Sequence, residues 1–382
     1  MYHKRICIVT NYSNTTNFGA LLQAYALNRT INELGYVADD LYVTSDYSSR
    51  KNKFIRQLTH FQFKEIKNEV ISRIQKYNVR NHLNERKKVI DEFRFHIPHT
   101  DRYSIDNLEQ LQKNYDVFIC GSDQIFRPNR LTGELEKHFF LGMVNNGAIK
   151  ASYAASMGIS SYDPKTEKKA VQYLSSFNKI SMREESSAEY IRQITGREDV
   201  IVSVDPVFLI KRDDWISKLK PYEIEGKYIL VYMIHGTERL FKSIKDFATE
   251  NKLKIITFPS MSYKRKKYEV GFADIEILDA DPFQFINLIN NAEYLFTDSF
   301  HGTAFSLILH KQAFISSANE IAFSRIENIL RITQAEKMII PSNGLTPEHY
   351  IKKPEIDWNK VDIAIEKQRA LSINYLHEVI EL

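Results

Sequence analysis

The chain predicts an α/β protein built from doubly wound units, and three observations lead there. Short apolar runs alternate with segments of helical period along both halves of the sequence. Several of these runs end in polar turns rich in Asp, Ser, Asn and Gly, placed where a strand hands over to a helix. At 382 residues the chain is long for one hydrophobic core, so two domains are expected.

The first unit reads in order. Lys4–Thr10 is a buried strand, Asn11–Asn17 a polar loop, and Ala20–Leu34 a helix with apolar residues at helical spacing (Leu21, Leu22, Tyr25, Ala26, Leu27, Ile31, Leu34). Gly35 stops that helix and Tyr36–Thr44 offers a second strand. No GxGxxG follows the first strand, so nothing there favours a dinucleotide. Tyr115–Cys120 and Lys150–Ala155 read as further strands, and Lys179–Met182 and Val200–Val204 as strands delivering Arg183-Glu184-Glu185-Ser186 and Asp205-Pro206-Val207. The second half repeats the alternation. Its strands are Tyr228–Ile234, Lys254–Phe258, Glu293–Thr297 and Gln312–Ser316, and its helices Arg239–Asn251, Phe283–Asn290 and Thr303–Leu309. The regularity breaks between about 208 and 227, which sets the expected domains at 1–210 and 211–382.

Residues 50–92 differ in character. Through Lys88 they carry about a dozen basic residues against three acidic ones, contain no Gly or Pro, and space Phe54, Leu58, Phe61, Phe63, Ile66, Val70, Ile74 and Tyr77 every three or four positions. One or two amphipathic helices inserted into the first domain are expected. The segment is a solvated excursion packed on that domain, a basic face for an anionic membrane or lipid-linked saccharide, or, as a third reading, a nucleic-acid contact.

Composition narrows the class. The net charge of +4 is only mildly basic and does not point to nucleic acid, but suits a protein that handles phosphates or acidic saccharides. Cys7 and Cys120 lie inside apolar runs, which predicts buried thiols, no disulfide and a reducing compartment. No apolar run is long enough to cross a membrane and the N-terminus lacks a signal-peptide core, so the expected location is the cytoplasm or the inner face of the plasma membrane.

The candidate chemistry sits at the strand ends. Thr297-Asp298-Ser299-Phe300-His301-Gly302 places an Asp, a Ser, a His and a Gly between a strand and a helix, where helix amides point at bound anions. His301 is the residue type that can give or take a proton near neutral pH. Four other edge loops are polar: Asn14–Gly19, with Asn17 and Gly19; Gly121–Gln124, with Ser122, Asp123 and Gln124; Ser156–Gly158; and Arg183–Ser186. Taken singly, each also reads as a helix cap. Arg183 forms either a first-turn salt bridge or a fork for a carboxylate or phosphate. Arg325, placed at the start of a helix, opposes the dipole there, which a bound anion would justify. His235-Gly236 repeats the pattern faintly. No spacing of His, Cys and carboxylates suggests a metal.

The ordered set of motifs resembles the polysaccharide pyruvyl transferase family. It comprises Asn17-Phe-Gly-Ala-Leu-Leu-Gln, Gly121-Ser-Asp-Gln, Ala151-Ser-Tyr-Ala-Ala-Ser-Met-Gly, Ser181-Met-Arg-Glu-Glu-Ser, Asp205-Pro-Val and Thr297-Asp-Ser-Phe-His-Gly. The likeness runs from about residue 4 to residue 340. It implies two Rossmann-like domains facing a cleft, a GT-B-like arrangement, with the acceptor on the first domain and the donor on the second. It implies transfer of pyruvate from phosphoenolpyruvate to a sugar of a surface polysaccharide or its lipid-linked precursor, as a ketal, with release of phosphate and no cofactor. His301 matches the family's general acid and Arg183 one of its donor-binding arginines; Arg325 lies near an expected basic residue. Asp298 or Asp123 would orient His301 or deprotonate a sugar hydroxyl, with Ser299 and Gly302 lining the donor. Some relatives carry Arg-Leu-His-Gly where this chain has Ser299-Phe300-His301-Gly302, so Ser299 removes a cation that Arg183 or Arg325 would replace. Two other readings stand beside this one: a GT-B glycosyltransferase using a sugar nucleotide, and a non-catalytic saccharide- or membrane-binding protein of the envelope.

Overall fold

Ile6–Val9 are buried on both faces, the signature of an inner parallel strand, and they form most of β1 (Arg5–Val9). This computed structural model describes residues 4–44, 84–129, 132–145, 147–259, 266–316, 319–346, 348–349 and 355–382. Around β1 the first half builds a parallel sheet from β2 (Val37–Thr44), β3 (His99–Ser104), β4 (Val117–Cys120) and β5 (Ile149–Ser152), in the order β3-β2-β1-β4-β5. Two short strands, β6 (Ser181–Met182) and β7 (Ile201–Val202), pair in parallel, and single bridges from Ala151 to Lys179 and from Ala155 to Met182 join them to the β5 side.

The second half repeats the order. β8 (Tyr228–Tyr232), β9 (Lys254–Thr257), β10 (Ile275–Glu276), β11 (Tyr294–Thr297) and β12 (Ala313–Ile315) run β10-β9-β8-β11-β12, all parallel. In both sheets the strand order reverses beside the first strand, and the crevice outside the carboxyl ends there is where such folds bind ligands.

The halves share a core. Phe18, at the start of helix Phe18–Glu33, stacks on Phe285 at 4.9 Å and meets Phe258 edge-on at 5.3 Å. Both partners belong to the second half. A buried aromatic at such a junction is worth about 3–5 kcal/mol against alanine. The last helix, Trp358–Ile380, returns to the first half: Tyr375, Leu376, Val379 and Ile380 pack with Ile6, Ile8, Leu27 and Ile31. Tyr375 Oη donates to Ser152 O at 2.7 Å and Lys4 Nζ to Ile380 O at 2.8 Å. The second unit expected at 211–382 therefore gives its terminal helix to the first core, because the apolar stripe of that helix matches the outer face of the first sheet.

Other differences from the expected elements have local causes. His99–Ser104 is a strand with no apolar run to signal it, because an edge strand needs little apolar character. Helix Phe300–Ile308 begins three residues before the expected Thr303, because Ser299 caps it by accepting from Gly302 N. His301 therefore sits in the first helical turn. Arg325 lies well inside helix Glu320–Ile332 and not at its start, so the dipole argument for it lapses. Of the expected insertion at 50–92, residues up to 83 lie outside the described residues, while 84–95 are helical. No helix among the described residues is long and apolar enough to cross a membrane.

Candidate active site

Five polar loops expected at the sheet edges come together where the two halves meet. The closest approach joins Gly19 and His301. A Cβ on Gly19 would stand 2.1 Å from His301 Nδ1, so only a glycine lets the imidazole lie against the first helix. The motif at residue 19 and the motif at residue 301, one from each half, are thus two sides of one contact. His301 is 8% exposed.

On its other nitrogen, His301 Nε2 stands 3.5 Å from Asp205 Oδ2, at the outer limit of hydrogen bonding. Asp205 is fully buried and caps the turn Pro206–Phe208 through Val207 N. Its Oδ2 accepts from Arg183 Nη1 at 2.9 Å and from Ser122 Oγ at 3.4 Å. Burial by itself would raise this carboxyl, but His301 and then Arg183 outweigh it and hold it down to about 2. An ionised carboxylate is therefore built against the imidazole.

Arg183, delivered by β6, is buried and spans both halves. Its guanidinium carbon lies 4.4 Å from the centroid of the Phe300 ring, the residue before His301. Asp123 Oδ1 stands 4.0 Å from Nη1 and Glu184 Oε2 3.8 Å from Nε. Burial opposes its charge, yet Asp205, Glu184 and Asp123 together raise its affinity for the proton. Even so, Nε and Nη2 are buried without hydrogen-bond partners among the described residues. Glu184 is anchored from behind, its Oε1 accepting from Ser156 Oγ at 2.8 Å and Ser187 Oγ at 2.7 Å.

Arg325 reaches the same spot from the second half. Its proton affinity falls to about 10, chiefly through burial and next through the Arg183 charge, with Glu184 and Asp123 pulling the other way and Arg127 adding to the repulsion. Its Nε is also buried with no hydrogen-bond partner among the described residues. Two guanidiniums that repel each other, each with idle buried donors, make a place that a multiply charged anion would stabilise.

The remaining expected residues divide by role. Ser122 Oγ donates to Ala154 O at 2.7 Å and its backbone N donates to Gln23 Oε1 at 3.0 Å, so it braces the loop beneath Asp205. Gln124 accepts from Arg127 Nη1 at 2.9 Å, and a Cβ on Gly158 would meet its Oε1 at 2.4 Å, which joins the loop Ser156–Gly158 to the same edge. Asn17 is exposed and caps helix Phe18–Glu33 by accepting from Ala20 N. Gly302 lets its helix press on Thr297, since a Cβ there would stand 2.5 Å from Thr297 Oγ1.

Asp298 faces elsewhere. Its two oxygens accept from the amides of Ile234, at 2.6 Å, and His235, and His235 Nδ1 stands 3.7 Å from Oδ2. Burial raises its carboxyl despite those amides. Asp298 ties the β8 loop to the β11 loop, while the carboxylate facing His301 is Asp205. The Asp205-Pro206-Val207 motif signalled that residue, but nothing in its neighbours along the chain marks it as a partner for a histidine.

Two Rossmann-like sheets of the same strand order, meeting where Arg183 and Arg325 approach His301, define a protein of the GT-B class. Solved structures of that class align over the whole chain. A putative UDP-N-acetylglucosamine 2-epimerase from Listeria monocytogenes has a TM-score of 0.54 at 9% identity, covering 100% of this chain and 96% of its own. The UDP-GlcNAc 2-epimerase from Methanocaldococcus jannaschii has a TM-score of 0.53 at 13% identity, covering 95% and 92%. That from Rickettsia bellii has a TM-score of 0.52 at 12% identity, covering 98% of each chain. At such identities the likeness is one of fold. No curated sequence matches the chain significantly. The family model for polysaccharide pyruvyl transferase matches residues 17–318, and the chain belongs to that family. It is thus a member of a transferase family whose name implies a saccharide acceptor.

Proposed function

We propose that the chain transfers pyruvate from phosphoenolpyruvate to a sugar of a surface polysaccharide or its precursor, forming a ketal and releasing phosphate. The observation that carries this reading is the opposed pair Arg183 and Arg325 beside His301, because a phosphorylated acid would satisfy both guanidiniums next to a proton donor. In this scheme His301 protonates the methylene carbon of the donor, and C2 becomes an oxocarbenium-like electrophile. One sugar hydroxyl attacks C2 and gives its proton to the imidazole of His301, which the first step left neutral. A second hydroxyl then bonds to C2 while the bond to the phosphate oxygen breaks, and phosphate departs with the electron pair and the second proton.

Asp205 balances the imidazolium form of His301, and Gly19 fixes the ring from the other side. Arg183 and Arg325 hold the phosphate and stabilise it as it leaves. No resident cofactor takes part. The donor is held mainly by groups around the second half's helix Phe300–Ile308, with the sugar entering over the edge of the first sheet.

The test is incubation with phosphoenolpyruvate and a panel of glycans carrying paired hydroxyls, following phosphate release and a gain of one pyruvate ketal by mass spectrometry. Ketal formation supports the reading. Tight binding of a uridine diphosphate, with none of phosphoenolpyruvate, would overturn it in favour of a glycosyltransferase.

A further inference from the structure

One buried cation lies outside the machinery described so far. Arg86 stands in the helix 84–95, on the same face as Ile90 and Phe93, and that face is buried. An arginine on an apolar face normally brings a carboxylate with it. Here it does not. Arg86 is 4% exposed, and its Nε and Nη1 are buried with no hydrogen-bond partner among the described residues.

Its surroundings point toward His301. The guanidinium carbon lies 4.4 Å from the centroid of the Phe18 ring, and Phe18 precedes Gly19, the residue pressed against the imidazole. Arg183 has the same relation to Phe300, the residue before His301, also at 4.4 Å. Arg86 is also close enough to Tyr232 for its charge to act on that phenol, and the Tyr232 carbonyl accepts from Thr297 Oγ1, which itself accepts from Ser299 N. Ser299 caps the nine-residue helix Phe300–Ile308, whose first amides favour negative charge. Burial lowers the proton affinity of Arg86, with the Tyr232 phenol acting in the opposite direction.

The geometry points to a second anion subsite, in which Arg86, with Tyr232 and the start of helix Phe300–Ile308, grips a carboxylate apart from the Arg183–Arg325 phosphate pair. The planar fork of an arginine suits a carboxylate, and the aromatic floor beneath it holds the fork in one orientation. The carboxylate is that of the three-carbon donor or of an acidic sugar in the acceptor. The first source rests on the proposed reaction and the second does not.

Calorimetry on the full chain tests this with inorganic phosphate, phosphoenolpyruvate and glucuronate as probes. Wild type should bind phosphoenolpyruvate at least tenfold more tightly than phosphate. Arg86→Gln should erase that margin while phosphate binding persists, which also reports an intact fold. Arg86→Lys, keeping the charge without the fork, should retain part of it. A margin unchanged in Arg86→Gln, with glucuronate binding also unchanged, would overturn the subsite. Loss of glucuronate binding alone assigns the carboxylate to the acceptor. If wild type binds no phosphoenolpyruvate, the proposed reaction fails and the glucuronate arm decides the subsite. Should Arg86→Gln fail to fold, the decision passes to Arg86→Lys: margins equal to wild type for both carboxylates refute the assignment.

Discussion

The two sheets share one strand order yet present different chemistry at their carboxyl edges. The edge of the first sheet is a braced polar lattice. Ser122, Asp205, Arg183, Glu184 and Ser156 bind one another, and Gln23 joins them by accepting from Ser122 N while donating to Thr10 Oγ1. The second edge brings groups that are less well matched: His301 Nε2 lacks a close hydrogen bond and Arg325 is repelled by Arg183. That lattice fixes the counter-charges in place, while Nε and Nη2 of Arg183 stay without hydrogen-bond partners among the described residues. Groups left short of partners are the ones with bonding capacity to offer a ligand. In the proposed reaction the first half braces the site, the second supplies the proton donor, and each gives one of the two guanidiniums.

That division can be broken at four points. The largest effect is expected for His301→Ala, which should cut phosphate release by about 10²–10⁴-fold with little change in thermal stability; turnover at the wild-type level would remove the histidine from the chemistry. Asp205→Asn should cost about 3–5 kcal/mol in denaturant unfolding at neutral pH, because it breaks a buried pair and leaves Arg183 under-compensated. The pH dependence has a defined sign. The folded state holds Asp205 at about 2 against an ordinary 3.8, so its contribution is complete above about pH 4 and is lost as pH falls toward 2. The gap between wild type and Asp205→Asn should therefore close in that window, and a gap constant with pH would show that the carboxylate charge is not what stabilises.

Gly19→Ala is expected next, at about a hundredfold loss of turnover from displacing the imidazole by an ångström or so. A crystal structure of the variant should show the His301 ring moved; an unmoved ring with full activity would mean the contact is slack. Arg325→Met should have the smallest effect, about tenfold weaker binding of phosphoenolpyruvate, with thermal stability equal to or above wild type. A marked loss of stability would show that Arg325 serves the fold and has no need of an anion.

Much of the frame was legible from the chain. Periodicity marked β1, β4, β8 and β11, because inner parallel strands are continuous apolar runs, and the polar turns after them marked the ligand edge. The edge strand His99–Ser104 and the two-residue strand Ile275–Glu276 carry no such run and were missed. His301 and Arg183 could be singled out by their neighbours, a glycine in one case and the end of an apolar strand in the other. Asp205 and Arg86 could not. A carboxylate ahead of a proline reads as a turn cap, and an arginine in a basic segment reads as solvated surface. Only the fold shows one under an imidazole and the other inside a core. Asp298 was assigned by proximity in sequence, but the strand-to-helix turn sends its side chain back to the amides of Ile234 and His235.

The sequence by itself determined the alternation of strands and helices, the family, and the residue types present at each sheet edge. These depend on local spacing, and local spacing survives in one dimension. Which carboxylate faces His301, which arginines lack counter-charges, and which half receives the terminal helix were decided by tertiary structure alone. Those properties belong to pairs of residues far apart in the chain, such as Gly19 with His301 or Lys4 with Ile380, 376 positions apart, which touch only when both sheets have closed on their shared core.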